Sequence, residues 1–323
     1  MIPGMIAVIL IVIFFAALYI VYRICFAEYR IPVEKELEKL MPEGKEYDGF
    51  QKVIKKGIHV VLDETDYEAV EVVSHDGLKL YGRYYHRADG APLIIFMHGY
   101  HGNFYRDGNG IYSYSKKYGY NILLAHQRAH GISEGKTITF GVKERHDCKT
   151  WVEYAIKRFG AEQEILLSGL SMGAATVMMA ADVGLPENVK GIMADCGYSS
   201  PKEILCSVMK GLHYPVKLMY PLARLSGKLF GHFDVEEASA VESLKNATVP
   251  VLFIHGEGDD FVPTYMSVDC HKVCSSEKEL LLIPEAGHGM AYCYGPKEYE
   301  AAVDRFFVKT LGATPITHGE TIS

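Results

Sequence analysis

"LSGLSMGAAT", residues Leu167–Thr176, sets a serine between two glycines, directly after an apolar run and directly before a run of small residues. The preceding "EILLSGL" (Glu164–Leu170) has the length and composition of a strand buried on both faces. "GAATVMMAADV" (Gly173–Val183) has the composition of a packed helix. Ser171 therefore stands at a strand-to-helix turn. A turn this tight strains the backbone of the central residue and lifts its hydroxyl clear of the sheet. Glycines two before and two after let neighbouring backbone close in. The helix N-terminus below favours negative charge. The pattern marks Ser171 as a candidate nucleophile, and a serine hydroxyl is a weak nucleophile until a base takes its proton.

In a G-x-S-x-G setting the acid and the histidine are expected downstream, in that order. "FIHGEGDDFVP" (Phe253–Pro263) offers Asp259 and Asp260, and "IPEAGHGMAY" (Ile283–Tyr292) offers His288 between two glycines. Asp259 is assigned to orient His288 and stabilise its imidazolium. Asp260, nearer the helix expected from about Pro263, is assigned to capping. An oxyanion hole needs two main-chain donors. Met172 follows the nucleophile, and Tyr100 follows His98-Gly99 in "MHGYHGN" (Met97–Asn103). His98 and His101 lack a carboxylate set at metal-ligand spacing, and so do Cys270, His271 and Cys274. No metal and no cofactor are expected.

Outward from this turn the chain alternates short apolar runs with helical stretches. "EAVEVV" and "LKLYGRYYH" flank a Ser74–Gly77 turn and read as an antiparallel hairpin. "PLIIFMHG", "YNILLAH", "EILLSGL", "VKGIMADC", "VPVLFIHG" and "ELLLIPEAG" read as buried parallel strands. The expectation is an α/β fold with an eight-stranded, mostly parallel sheet. From about 197 to 245 there is helical material and no strand. That is too long for a plain crossover, and it is read as a cap over the C-terminal edge of the sheet, where α/β ligands bind.

These segments together resemble an α/β-hydrolase of the bacterial serine aminopeptidase (S33-like) and esterase/lipase group. The matching stretches are "HGYHGN", "HQRAHGISEG", "GLSMG", "HGEGDDFVP" and "GHG", spread over about residues 67–309. In "HQRAHGISEG", His126 and Ala129 replace the aspartate and glycine usual in the D-x-R-G-x-G-x-S-x-G loop, so that loop is assigned a structural role. The resemblance implies a hydrolase working through an acyl-enzyme. The first expectation is a serine hydrolase cleaving an ester of apolar acyl or lipid-like character. The alternative is an S33-like aminopeptidase or amidase, in which Glu236 or Glu237 of the cap would bind a substrate ammonium. A third reading, of another class, is a catalytically silent scaffold used for binding.

The chain has 323 residues and a net charge of -7, with no basic footprint for nucleic acid. Its seven cysteines are scattered without paired spacing, which argues against a disulfide framework. The run "MIAVILIVIFFAALYIVY" (Met5–Tyr22) is uncharged and about long enough to cross a ~30 Å hydrocarbon core. No basic residue precedes it, and no small-residue cleavage site follows, so an uncleaved anchor is favoured over a secretory signal. Arg23, Arg30, Lys35 and Lys39 all follow, which points the globular part toward the cytoplasm. The competing arrangement is an outward-facing domain on an uncleaved signal sequence. The expected organisation is an anchor at 1–26 and a juxtamembrane helix and linker at 27–66, including the amphipathic "VEKELEKLM". A hydrolase domain at 67–311 and a flexible tail at 312–323 follow. The oligomeric state is left open.

Overall fold

The computed structural model describes residues 2–30, 41, 44 and 47–312. The expected "VEKELEKLM" helix and the tail after Gly312 lie outside these residues. The eight apolar runs form eight strands: β1 (Glu68–Val73), β2 (Lys79–Tyr85), β3 (Leu93–Met97), β4 (Asn121–Ala125), β5 (Ile165–Leu170), β6 (Val189–Asp195), β7 (Val251–Gly256) and β8 (Lys278–Ile283). They make one sheet in the order β1-β2-β4-β3-β5-β6-β7-β8. β1 and β2 pair antiparallel, β2 joins β4 antiparallel, and every later pairing is parallel.

The helices in chain order are α1 (Ile2–Cys25), α2 (Gln51–Leu62), α3 (Phe104–Asp107), α4 (Asn109–Tyr118), α5 (Glu144–Phe159), α6 (Met172–Met179), α7 (Pro201–Gly211), α8 (Val216–Ser226), α9 (Ala240–Ser243), α10 (Tyr265–Val273), α11 (Ala291–Tyr294) and α12 (Pro296–Leu311). They cover both faces of the sheet, which explains why the central strands read as continuous apolar runs. In β3, Leu93, Ile95 and Met97 enter one core with α5, α6 and α10, while Ile94 and Phe96 enter the other with α2, α4 and α12. Every residue of α6 is buried, so this helix is fixed on all sides beneath the sheet edge that carries Ser171. α2 falls within the stretch read as juxtamembrane helix and linker, and its Ile58 and Val61 are buried.

The long connection from β6 to β7 carries α7, α8, a π-helical turn (Gly227–Gly231) and α9. Ser200 starts α7 by accepting the Glu203 amide at 3.1 Å, with Pro201 in the first turn. Against α8 and the π-helical turn packs the end of α1. α1 is long and apolar enough to cross a membrane. Its side chains from 4 to 17 are exposed, but Leu18, Tyr22 and the following Phe26 are buried. The chain beyond is hydrogen-bonded into the segment 129–138: Ile138 N donates to Phe26 O at 2.7 Å, Glu28 N to Lys136 O at 3.0 Å and Tyr29 N to Ala129 O at 2.9 Å.

Candidate active site

Ser171 has φ 57° and ψ -116°, a conformation L-residues rarely adopt. Two glycines make the strain sustainable. A Cβ at Gly169 would lie 2.3 Å from the Gly173 carbonyl carbon, and one at Gly173 would lie 1.9 Å from Met97 O. Any side chain at either position would push α6 away from β3 and β5. The Ser171 amide is held by Asp195 O at 2.8 Å. The sequence thus fixes the backbone on both sides of the serine.

His288 Nε2 lies 2.9 Å from Ser171 Oγ, and His288 Nδ1 lies 2.7 Å from Asp259 Oδ2. With the carboxylate accepting from Nδ1–H, Nε2 is left bare toward the serine hydroxyl. Burial alone would raise the Asp259 carboxyl, but hydrogen bonds from His255 and His288 outweigh it and bring the pKa down to about 2. The acid is therefore charged at neutral pH. Its other oxygen accepts the amides of Phe261 and Val262 at 3.0 and 2.8 Å. Asp260 is exposed, and α10 starts after Thr264 without a side-chain cap, so the capping role expected of Asp260 is not seen. Asp259 itself does the local backbone work with one oxygen and holds the imidazole with the other.

The loop "HGYHGN" runs beside the serine: a Cβ at Gly99 would stand 3.4 Å from Ser171 Cβ. The loop is braced from below. His98 is fully buried. Gln127 N donates to its Nε2 at 3.1 Å, so Nδ1 carries the proton and donates to Gly99 O at 2.8 Å. His130 repeats the device, accepting from the His101 amide and donating to Arg128 O. Burial pushes both imidazoles below their usual pKa, so each stays neutral and keeps one donor and one acceptor. His98 and His101 are thus loop supports. Gly99 N donates to Asp107 Oδ2 at 2.8 Å. Among the described residues, no main-chain carbonyl takes up the amides of Tyr100 and Met172. The Tyr100 ring stacks on His101 and Phe140, with centroids 3.8 and 5.0 Å apart, and its hydroxyl donates to Cys25 O at 3.1 Å.

A family model described as "alpha/beta hydrolase fold" matches residues 92–219. An uncharacterized protein of Bacillus subtilis, YqkD, is 28% identical over 58% of this chain, and the match spans 62% of that protein's own length. The solved esterase Pf2001 of Pyrococcus furiosus superposes with a TM-score of 0.62 at 23% identity, covering 76% of this chain and 92% of that one. The acylaminoacyl peptidase of Pyrococcus horikoshii superposes with a TM-score of 0.55 at 18% identity, covering 81% of this chain and 44% of the peptidase. The chain has the α/β-hydrolase fold.

Several groups around the site are absent from the motif reading. His255, four residues before Asp259 in β7, is buried with Nε2 3.2 Å from Asp259 Oδ2 and 2.8 Å from Val262 O. Its only sequence signal is the histidine of "FIHG". Cys196 Sγ lies 3.9 Å from His288 Nε2. Tyr47 Oη donates to His288 O at 3.1 Å, a contact from far outside the recognised segments. His75, Asp76 and Asp147 also gather, but the Arg128 guanidinium lies between the two carboxylates and fills the space a cation would take. In the "HQRAHGISEG" loop, Ala129 has φ 62° at the position where glycine is usual, so the left-handed turn persists without it. The His126 ring lies against Gly131, where a Cβ would come within 2.6 Å of Nδ1, and burial brings its pKa down to about 3.

Proposed function

We propose that this α/β-hydrolase is a serine esterase acting on a substrate of apolar acyl or lipid-like character. The observation that carries the reading is the unbroken line Ser171 Oγ–His288 Nε2 at 2.9 Å and His288 Nδ1–Asp259 Oδ2 at 2.7 Å. Ser171 attacks the ester carbonyl while His288 Nε2 takes its proton. The amides of Tyr100 and Met172 receive the oxyanion. Collapse expels the alcohol, which takes the proton back from His288 and leaves an acyl-enzyme. Water, deprotonated by the same imidazole, releases the acid and regenerates the serine.

An ester is favoured over an N-terminal peptide bond by the state of Glu236, one of the two candidate cap carboxylates. Glu236 accepts from Tyr220 at 2.7 Å and is paired with Arg224 and Lys202, so its charge is already matched. Phe261, half exposed, stands with its ring 5.1 Å from that of His288 and offers an apolar wall instead. Labelling with a fluorophosphonate, followed by a panel of p-nitrophenyl esters and aminoacyl amides, tests both parts. Turnover of amides alone would replace the esterase reading with the peptidase one, and no labelling would leave a binding scaffold.

α1 supports anchorage of the same domain as a single span, with the domain on the cytoplasmic side because Arg23 and Arg30 lie on the domain flank of the run. Protease added to intact cells checks the orientation. Digestion of the domain while a cytosolic marker survives would reverse it.

A further inference from the structure

The cap carries a charge pattern unlike the rest of the chain. About one residue in eight of the whole sequence is acidic, yet the thirty residues between Glu203 and Asp234 contain no Asp or Glu. They contain Lys210, Lys217, Arg224 and Lys228. Arg224 and Lys228 are paired with Asp234. Lys210 and Lys217 are exposed and pair with no carboxylate among the described residues. The same stretch exposes large apolar side chains: Leu212 at 62%, Tyr214 at 54%, Leu218 at 62% and Leu229 at 42%. On α8, Leu218, Pro221 and Leu225 are exposed and follow at three- and four-residue spacing, hence on one face. Ala223 and Ser226 are buried. Basic residues interleaved with exposed leucines are the composition of a helix that lies in a membrane interface.

The position of this patch matches its composition. α8 and the π-helical turn pack against the last turns of α1, with Phe230 5.3 Å from the Tyr19 ring and 5.9 Å from that of Tyr22. The contact starts at Leu18, the first buried side chain of the helix among the described residues. At ~1.5 Å per residue, Leu18 to Tyr22 is about 6 Å of axis, at the end of a run about as long as the hydrocarbon core is thick. The elements touching those residues therefore sit at headgroup depth. We propose that the exposed face of the α7–α8 cap, from Lys210 to Leu229, seats on the anionic headgroup surface of the bilayer that α1 crosses. The leucines enter the acyl boundary, and the lysine stems run along it with their ammonium groups at lipid phosphates. The cap thereby holds the mouth of the site against the source of lipid-borne esters. The proposal rests on the reading of α1 as a span.

The test uses the full chain in phosphatidylcholine–phosphatidylglycerol vesicles that contain nitroxide-labelled lipid. A single environment-sensitive fluorophore is placed by Leu218→Cys, with Cys25, Cys206 and Cys293 changed to serine. Phe14→Cys on α1 and Val308→Cys on α12 serve as lipid-exposed and remote references. All three positions are exposed. Expected is strong quenching at 14 and 218 and none at 308, with the 218 signal at least halved by Lys210→Glu/Lys217→Glu or by vesicles of phosphatidylcholine alone. Quenching at 14 with none at 218 overturns the proposal and leaves the span intact. No quenching at 14 overturns the span and the proposal with it. Leu229→Cys repeats the measurement independently. A second readout is rate: Leu218→Asp/Leu229→Asp lowers hydrolysis of vesicle-borne esters about tenfold and leaves a soluble short-chain ester unchanged. Equal loss on both substrates would overturn it.

Discussion

Two polar clusters lie near the same edge of the sheet and use similar parts differently. Arg128, just after β4, donates to Asp147 at 2.6 Å through Nε and through Nη2, and to Asp76 at 2.8 and 3.0 Å. Beside it Ala129 adopts a positive φ. Ser171, just after β5, also has a positive φ and is also buried, but its hydroxyl faces a bare imidazole nitrogen, and the amides of Tyr100 and Met172 have no main-chain acceptor among the described residues. In the first cluster four of the guanidinium's five N–H groups are taken up by two carboxylates. In the second, capacity is left open at a point where the backbone is strained. Closed polar networks stabilise a fold, and an open, strained one is what a reacting group needs.

Changes in the two clusters should therefore separate rate from stability. The largest effect is expected from Ser171→Ala, which should lower kcat for ester hydrolysis by about 10⁶-fold while circular dichroism and Tm stay near wild type. Near-normal turnover in that variant would remove the nucleophile from the comparison. Asp259→Asn should cost about 10⁴-fold in kcat through loss of tautomer control, whereas Asp260→Asn should stay within about twofold. Equal activities, or a dead Asp260→Asn, would reassign the acid.

Arg128→Met should do the reverse. It leaves Asp147 buried without its partner and should lower unfolding free energy by about 3–5 kcal/mol in urea titrations. kcat per folded molecule should stay within a few fold, and a selective loss of kcat would mean the cluster is not merely structural. Acid sharpens the same contrast at Asp259. Its folded pKa of about 2 lies below the ordinary 3.8, so its contribution is complete above about pH 4 and is lost as pH falls through 2. The shift corresponds to roughly 2 kcal/mol. Stability curves of wild type and Asp259→Asn should converge over that window, and parallel curves would refute the linkage. The smallest effect is expected from Tyr100→Phe, which removes the bond to Cys25 O and should cost about 1 kcal/mol of stability with a few-fold drop in kcat.

The sheet was readable because β3 to β7 are buried on both faces and leave unbroken apolar runs between turn residues. Ser171 and His288 stood out because each is bracketed by glycines after a strand, and Asp259 because it follows Gly256 and Gly258, where local backbone demands leave a mark on the sequence. His255 left no such mark: a buried histidine in an apolar strand looks the same whether or not it faces a carboxylate. The two roles of Asp259 were hidden for a similar reason, since adjacent acids share one composition and only the course of the loop decides which turns inward. Met5–Tyr22 shows the limit of hydropathy. Leu18 and Tyr22 read like their neighbours but are buried against the cap, because an apolar scale scores lipid-facing and core-facing side chains alike.

The packing of the last turns of α1 has a practical consequence for anyone shortening the protein to remove its exposed apolar helix. The hydropathy profile invites a cut after Tyr22 or Cys25. Either cut would unseat Phe26 and strip Tyr19 and Tyr22 from Phe230, and the cut after Cys25 would also take away the carbonyl that the Tyr100 hydroxyl donates to. The newly bared aromatic surface would invite self-association. A start just before Leu18 discards most of the greasy helix and keeps the turns that belong to the globular body.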